Sequence, residues 1–91
     1  MYKVYLLHSL KDTGMSYVGL TIKEIDKRVE EHNKGLSQYT KTFKPWRLVY
    51  YELFYCRTCA EKREQFLKSG VGYQLRKHLL TFKNSSLKNG G

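Results

Sequence analysis

The sequence contains no run of about 18 consecutive apolar residues, the length that a helix needs to cross a bilayer. The N-terminus, Met1 to Val4, leads directly into a strand-like pattern and lacks the apolar region of a signal peptide. We therefore expect a soluble cytoplasmic protein. With 91 residues, the chain has room for one compact domain with a core of its own.

Cysteine is scarce, and Cys56 and Cys59 form a single C-x-x-C pair. A structural zinc site needs about four ligands in regular spacing, and there is no second pair to supply them. A redox-active pair normally opens a helix within a thioredoxin-like βαβ pattern, which this sequence lacks. We expect one buried and one exposed thiol at the start of a helix.

Acidic residues are also few: 8 Asp and Glu stand against 17 Lys and Arg, so the net charge is +9. The excess is uneven, because residues 1–40 carry 6 basic and 5 acidic side chains, whereas residues 41–91 carry 11 and 3. This balance is typical of proteins that bind a polyanion. A membrane surface would require a basic amphipathic helix with a broad aromatic face, and Trp46 instead follows Pro45 in a predicted loop. Nucleic acid is the expected partner.

The first half of the chain predicts a β-hairpin followed by a helix. Residues 2–8 and 17–20 are rich in β-branched and aromatic side chains, and turn-forming residues separate them. Thr21 to Glu24 matches the S/T-x-x-E capping box, in which side chains satisfy the first free N–H groups of a helix. Gly35 is the predicted stop of this helix.

The second half predicts a strand followed by two helices. Residues 47–55 form an almost continuous apolar and aromatic run, which we place in the middle of a sheet. A second capping box, Thr58 to Glu61, opens a helix to about Ser69, and residues 73–80 predict a last helical stretch.

The order β-β-α-β-α-α predicts an α+β fold, in which helices flank a three-stranded antiparallel sheet. The connections are too short for a parallel sheet built from βαβ units. We expect residues 1–83 to form this domain and residues 84–91 to be a flexible C-terminal tail.

Basic and aromatic side chains alternate in a predicted loop at residues 36–46. Tyr39, Lys41 and Lys44 suit nucleic acid, because lysines pair with phosphates and aromatic rings stack on bases. Arg63 and Lys68, in the basic second half, extend the same predicted surface.

Tyr5 and Tyr17 lie on the two strands of the predicted hairpin and could be near neighbours on one face of the sheet. A phenol at such a position can orient a water molecule or remove its proton. Both could instead serve only in packing, since tyrosine is a favoured strand residue and the chain has 8 of them.

Arg28 and His32 are four residues apart on the first predicted helix, and therefore on one face of it. A guanidinium beside an imidazole is a good arrangement around a phosphate. The alternative is that Arg28 pairs with Glu24 and that His32 merely ends the helix.

Glu64 is spaced from the apolar positions of its helix so that it falls on the inward face, where an unpaired carboxylate is costly. A bound cation would explain it, and a single carboxylate suits Mg²⁺ or Mn²⁺, which keep several waters. The alternative is a salt bridge to a neighbour on the Arg63 or Lys68 side, and Glu61 is a rival for the metal role.

Taken in chain order, these motifs resemble the signature of the GIY-YIG endonucleases: Lys3-Val4-Tyr5, Tyr17-Val18-Gly19, Arg28-x-x-x-His32-Asn33 and Glu64. The resemblance covers roughly residues 2–80. It is closest to small stand-alone members that are similar to the N-terminal nuclease domain of the bacterial excision-repair incision subunit. Lys3, Val4 and Val18 depart from the family motifs, whereas the tyrosines, the arginine, the histidine and the glutamate remain.

The resemblance implies a metal-dependent DNA endonuclease, with DNA repair as its setting. Water, activated by a motif tyrosine with help from His32 or the metal, would attack the phosphorus in line. Arg28 would neutralise the phosphate, and one Mg²⁺ or Mn²⁺ on Glu64 would stabilise the leaving 3′ oxygen. The family's Ala-x-x-x-Glu spacing selects Glu64 over Glu61. Which tyrosine is the base stays open.

Two other functions fit the same composition. A nucleic-acid-binding module with this fold and little turnover would use the same basic surface. A protein-interaction adaptor would leave the inward glutamate and the Arg28–His32 pair unexplained. The DNA substrate could be branched, damaged or single-stranded, and a partner protein or a second copy of the chain could supply its specificity.

Overall fold

The computed structural model describes the backbone of residues 1–89 and the side chains of residues 1–81. It has the predicted α+β fold, with three strands and three helices. The elements are β1 (Tyr2–Ser9), β2 (Ser16–Thr21), α1 (Ile25–Asn33), a 3-10 turn (Lys41–Phe43), β3 (Trp46–Phe54), α2 (Arg57–Lys68) and α3 (Gly70–Asn89). None of the helices in the described part of the chain has the length and apolar character of a membrane span.

The strands form one antiparallel sheet in the order β2-β1-β3, so β1 is central and β3 is an edge strand. The prediction that residues 47–55 lie in the middle of the sheet is therefore wrong. The reason is visible in their burial: β1 buries every residue from Val4 to Ser9, whereas β3 leaves Tyr51 and Leu53 exposed on one face. The apolar and aromatic residues of β3 therefore belong to an edge strand that is not buried on both faces along its whole length. Trp46 begins β3 and is buried, so its predicted place in a loop was also wrong.

Each face of the sheet carries its own core. One core joins Val4, Leu6 and Val18 to Ala60 and Leu67 of α2, and leucines of α3 complete it. The other is built around Tyr5, Leu7 and Trp46, with Ile25 and Val29 of α1 packed against it. The helices therefore flank the sheet as predicted, and α1 covers the face to which Tyr5 belongs.

The starts of α1 and α2 differ from the predicted capping boxes. Thr21 still belongs to β2, and its hydroxyl accepts the N–H of Lys23 at 3.0 Å, so α1 begins only at Ile25. In α2 the cap position falls on Cys56, ahead of the predicted Thr58. Neither helix has a side-chain cap hydrogen bond. Both cysteines are exposed, so the expectation of one buried thiol was wrong.

The end of α1 confirms Gly35 as its stop. Gly35 has φ +80°, and its N–H bonds the carbonyl of His32, while the N–H of Leu36 reaches back to Glu31. These two bonds satisfy the last free carbonyls of the helix in the pattern that a left-handed glycine permits.

The helix α3 follows α2 after a single residue, Ser69, whose hydroxyl accepts the N–H of Gly72 at 3.2 Å. The backbone of α3 continues through residue 83, so the predicted domain boundary falls inside a helix. The side chains of the predicted tail, residues 84–91, lie outside the described residues, and its flexibility stays a prediction.

Candidate active site

Tyr5 occupies the middle of the central strand and is 1% exposed. Its hydroxyl lies 2.8 Å from Nε2 of His32, and it accepts a hydrogen bond of 3.2 Å from Nε of Arg28. Burial, as the largest cause, raises the Tyr5 pKa to about 12, against the lowering effect of Arg28. The phenol is therefore protonated at neutral pH and is held by two side chains from one turn of α1.

His32 is completely buried beneath the motif tyrosines. Its ring centroid lies 5.7 Å from that of Tyr5 and 5.2 Å from that of Tyr17. Its Nδ1 lies 2.6 Å from Oγ1 of Thr40. Burial first, and then the charge of Arg28, lowers the His32 pKa to about 4, so the imidazole is neutral at pH 7.

Arg28 is fixed between the site and its own helix. Its Nη1 pairs with Glu31 at 2.8 Å, and Glu31 also holds Lys23 at 2.7 Å. The alternative pairing of Arg28 with Glu24 is not what the structure shows, because Glu24 precedes the helix and Glu31 lies one turn further along it. Because its Nε donates to the Tyr5 hydroxyl, the guanidinium holds its positive charge next to the buried phenol.

Tyr17 is partly buried on the neighbouring strand, with its ring centroid 6.3 Å from that of Tyr5. Nζ of Lys68 lies 5.9 Å from the Tyr17 ring centroid and 3.3 Å from Oε2 of Glu64. The two tyrosines are neighbours on one face of the sheet, as predicted, and Arg28 and His32 of α1 lie against the same pair. Lys68 of α2 lies beside Tyr17 and pairs with Glu64, so both residues of α2 border the tyrosine pair.

Glu64 lies between the buried positions Ala60 and Leu67 of α2, and its side chain is 20% exposed. Its negative charge is close enough to Tyr5 to be one of the smaller causes that raise the Tyr5 pKa. The alternative salt bridge on the Lys68 side is present. Arg63 is not its partner, since that guanidinium grips both carboxylate oxygens of Glu52 at 2.7 and 3.3 Å.

Within the described residues, no three histidine, cysteine or carboxylate side chains are close enough to hold a metal ion by themselves. Glu64 fits the kind of ion that needs only one protein ligand, because its carboxylate is mostly buried, acts on the charge of Tyr5 and supplies hard oxygen donors of the kind that suit Mg²⁺ or Mn²⁺. An all-protein zinc cage does not fit this site.

The residues predicted to bind nucleic acid fall into two groups. Tyr39 is 85% exposed, and Lys41 and Lys44 are exposed close to it, in the segment that carries Thr40 into the site. Arg63 and Lys68 lie on α2 in ion pairs with Glu52 and Glu64. Lys68 borders the site, whereas Arg63 ties α2 to β3. Their part in binding stays a prediction.

Three residues of the site had no role in the sequence interpretation. Gly19 lies opposite Tyr5 in the sheet, and Thr40 contacts His32. Asn33 clamps the start of β3, since its amide donates to the carbonyl of Trp46 at 3.0 Å and accepts its N–H at 2.6 Å. Gly19 and Asn33 belong to the motifs quoted above, so the sequence did point to them. Thr40 lies in a segment without any periodic pattern, and nothing in the sequence pointed to it.

Comparison with known proteins identifies the family of this chain. The chain is 40% identical over 57 residues to the UPF0213 proteins of Staphylococcus aureus strains Mu3, Mu50 and N315, a stretch that covers 62% of this chain and 68% of theirs. Residues 1–76 match the GIY-YIG catalytic domain, and this match includes every residue of the site just described. The chain belongs to the GIY-YIG family of nuclease domains.

Proposed function

We propose that this protein is an endonuclease that hydrolyses a phosphodiester bond of DNA with one Mg²⁺ or Mn²⁺ ion. The observation that carries the proposal is the hydrogen-bonded group of Tyr5, His32 and Arg28 with the carboxylate of Glu64 beside it. Neither packing nor simple phosphate binding requires a buried phenol to bond a neutral imidazole and a guanidinium together.

The group suits removal of a proton from an attacking water. Burial disfavours a preformed phenolate and imidazolium pair at neutral pH, because it raises the pKa of Tyr5 to about 12 and lowers that of His32 to about 4. The transfer is therefore concerted: the Tyr5 oxygen takes the proton of the water while the Tyr5 proton passes to His32. Arg28 stabilises the negative charge that develops on the phenol. Tyr17, which is partly exposed, is placed to orient the water or the phosphate.

Charge around the reacting phosphorus comes from two directions. Arg28 offers a fixed guanidinium, which matches the oxygens of a phosphate in the transition state. Glu64 would hold the divalent ion, whose contribution when bound is to neutralise the leaving 3′ oxygen. The basic loop around Lys41 and Lys44 would keep the DNA backbone against this site.

Cleavage of a panel of DNA structures, with Mg²⁺, with Mn²⁺ and with chelator, tests the proposal. Glu64→Gln keeps the shape of the side chain and removes its charge, so we expect cleavage to fall by roughly a hundredfold or more. The matched control is Glu61→Gln, because Glu61 lies on the same helix and pairs loosely with Arg57 at 3.7 Å. The control should keep its activity, and both variants should keep their melting temperature within a few degrees. Full activity of Glu64→Gln would overturn the role assigned to this carboxylate.

A binding module without turnover is the second candidate, and the salt bridge of Glu64 with Lys68 favours it, because that bridge explains the carboxylate without a metal. In that case no substrate is cut with either metal, while DNA still binds and its affinity falls with salt. A structural Glu64 would also reveal itself in a lowered melting temperature of Glu64→Gln. A partner protein or a second copy of the chain would then supply the activity or the specificity.

A further inference from the structure

We infer that Thr40 is a positioning residue, which holds His32 in the tautomer that carries its proton on Nδ1 and so leaves Nε2 free to accept the proton of Tyr5. The catalytic consequence of this inference rests on the proposed function. The tautomer itself is a property of the protein without substrate. Three contacts carry the argument: those of His32 with Tyr5 and with Thr40 are buried, and that of Arg28 with Tyr5 is partly buried.

The first step concerns the number of protons on the ring. Both ring nitrogens of His32 lie within hydrogen-bonding distance of a hydroxyl: Nε2 at 2.8 Å from Tyr5 and Nδ1 at 2.6 Å from Thr40. Burial keeps the imidazole neutral at pH 7, since it lowers the pKa to about 4. A neutral imidazole has one N–H and one lone pair. Only two assignments of the single proton are therefore possible.

Arg28 decides between them. A guanidinium can only donate, and Nε of Arg28 already donates to the oxygen of Tyr5. The one proton of the phenol therefore needs an acceptor, and Nε2 of His32 is the acceptor that the described residues provide. Each tautomer leaves one hydroxyl proton without a hydrogen bond in the structure, that of Tyr5 if Nε2 carries the imidazole proton and that of Thr40 if Nδ1 does. The phenol is the more acidic hydroxyl and Arg28 polarises it further, so its proton is the stronger donor and takes the lone pair of Nε2. The proton of His32 thus lies on Nδ1 and is donated to Oγ1 of Thr40.

Thr40 can play this part because it is held rigidly. It is completely buried, its N–H donates to the carbonyl of Ser37 at 3.2 Å, and its own carbonyl accepts the indole N–H of Trp46 at 2.8 Å. Trp46 is in turn clamped through its backbone by Asn33, which follows His32 directly in α1. The hydroxyl of Thr40 is therefore fixed relative to the helix that carries the imidazole.

The variants Thr40→Val and Thr40→Ser separate this role from packing. Valine has nearly the shape of threonine but no acceptor, so a proton on Nδ1 would be buried without a partner. Each tautomer of the variant leaves one buried proton unbonded, that of Nδ1 or that of Tyr5, so we expect the ring to divide its proton between Nδ1 and Nε2. Serine keeps the hydroxyl and should restore the wild-type tautomer.

The tautomer is measured by long-range ¹H–¹⁵N NMR of the histidine rings in the metal-free protein. His32→Asn identifies the signals that belong to His32, because it leaves only His8 and His78 in the spectrum. We expect the wild type and Thr40→Ser to be protonated on Nδ1. A wild-type ring protonated on Nε2 would overturn the inference, whether or not Thr40→Val folds. So would Thr40→Val with an unchanged tautomer.

Cleavage kinetics then test the consequence for catalysis. We expect Thr40→Val to lower kcat by roughly 10- to 100-fold with little change in KM, and Thr40→Ser to recover most of it. If the wild type cuts no DNA, the proposed function fails, while the tautomer result still stands or falls by the spectrum. An Nδ1–H ring with full activity of Thr40→Val would contradict the positioning role alone.

Discussion

Gly19 lies directly opposite Tyr5 on the neighbouring strand, and the Tyr5 phenol fills the space where a side chain of Gly19 would be. A Cβ atom built on Gly19 would overlap with Cζ and with the hydroxyl oxygen of Tyr5, and it would stand 2.9 Å from Cε2 of Tyr17. The glycine of the second motif is therefore a steric requirement of the tyrosine pair. Without a side chain at Gly19, the Tyr5 phenol can lie over β2 and its hydroxyl can bond His32.

Gly19→Ala should therefore damage the site more than its size suggests. We expect Tyr5 to be displaced from His32 and Arg28, with a loss of about 1–3 kcal/mol in the free energy of unfolding from overpacking. Cleavage should fall by at least roughly tenfold, because a small misplacement of a catalytic group is costly. The measurements are urea denaturation and DNA cleavage.

Gly14→Ala is the matched control for this change. A Cβ on Gly14 would meet only the Asp12 carboxylate, at an ordinary contact distance of 3.4 Å, in the exposed turn between β1 and β2. It should leave both stability and activity close to wild type. Equal effects of the two substitutions would show that the glycine does not make room for Tyr5.

The buried imidazole predicts a loss of stability in mild acid. The unfolded chain takes up a proton on His32 near its ordinary pKa of 6.5, whereas the folded protein does so only near about 4. The unfolded state therefore binds more protons between these values, and stability that is fully present above pH 6.5 declines as the pH falls towards 4. The difference corresponds to roughly 3 kcal/mol.

Denaturation of the wild type and of His32→Gln from pH 7 to pH 4 measures this contribution. The difference between the two proteins should shrink as the pH falls, because glutamine takes up no proton. An NMR titration of the His32 ring in the folded wild type gives the pKa directly, even if the variant is too unstable to compare. A His32 pKa near 6.5 in the folded protein would contradict the prediction.

Much of the fold could be predicted from local patterns. The hairpin, the helix that Gly35 stops and the strand near residues 47–55 are each encoded by contiguous side chains. The position of β3 in the sheet could not be predicted in this way, because strand order depends on which strand has both faces covered. The tyrosines of β3 look apolar in sequence, and only the three-dimensional structure shows that Tyr51 stays exposed.

The site divides in the same way. The motif residues could be placed because their order is that of a known family, and Arg28 and His32 share a helical face by spacing alone. Thr40 could not, because it reaches His32 through a loop whose path is set by tertiary contacts with Trp46 and Ser37. The capping boxes failed for a related reason. Thr21 is held in β2 by its pairing with Lys3, so its hydroxyl serves a turn and not a helix.

The last prediction concerns the basic loop beside the site. Side chains outside this loop hold its backbone at two places. The Ser9 hydroxyl donates to the carbonyl of Phe43 at 2.6 Å, and Nζ of Lys11 donates to that of Thr42 at 3.2 Å. Lys41 and Lys44 are both exposed, and the ammonium of Lys44 lies over Gly35 at the end of α1. Their replacement should leave the fold intact and remove charge from the surface that faces a bound backbone.

We expect Lys41→Ala with Lys44→Ala to weaken DNA binding and to reduce the slope of log affinity against log salt by roughly 2, about one for each lysine that no longer pairs with a phosphate. The matched control is Lys62→Ala with Lys77→Ala, which removes the same charge from exposed positions on α2 and α3. If net charge alone attracts the DNA, both pairs change the affinity equally. If the loop is the binding surface, only the first pair changes the slope. An unchanged slope in the Lys41 and Lys44 variant would place the DNA on another part of the protein, since counterions are released only where lysines replace them at the phosphates.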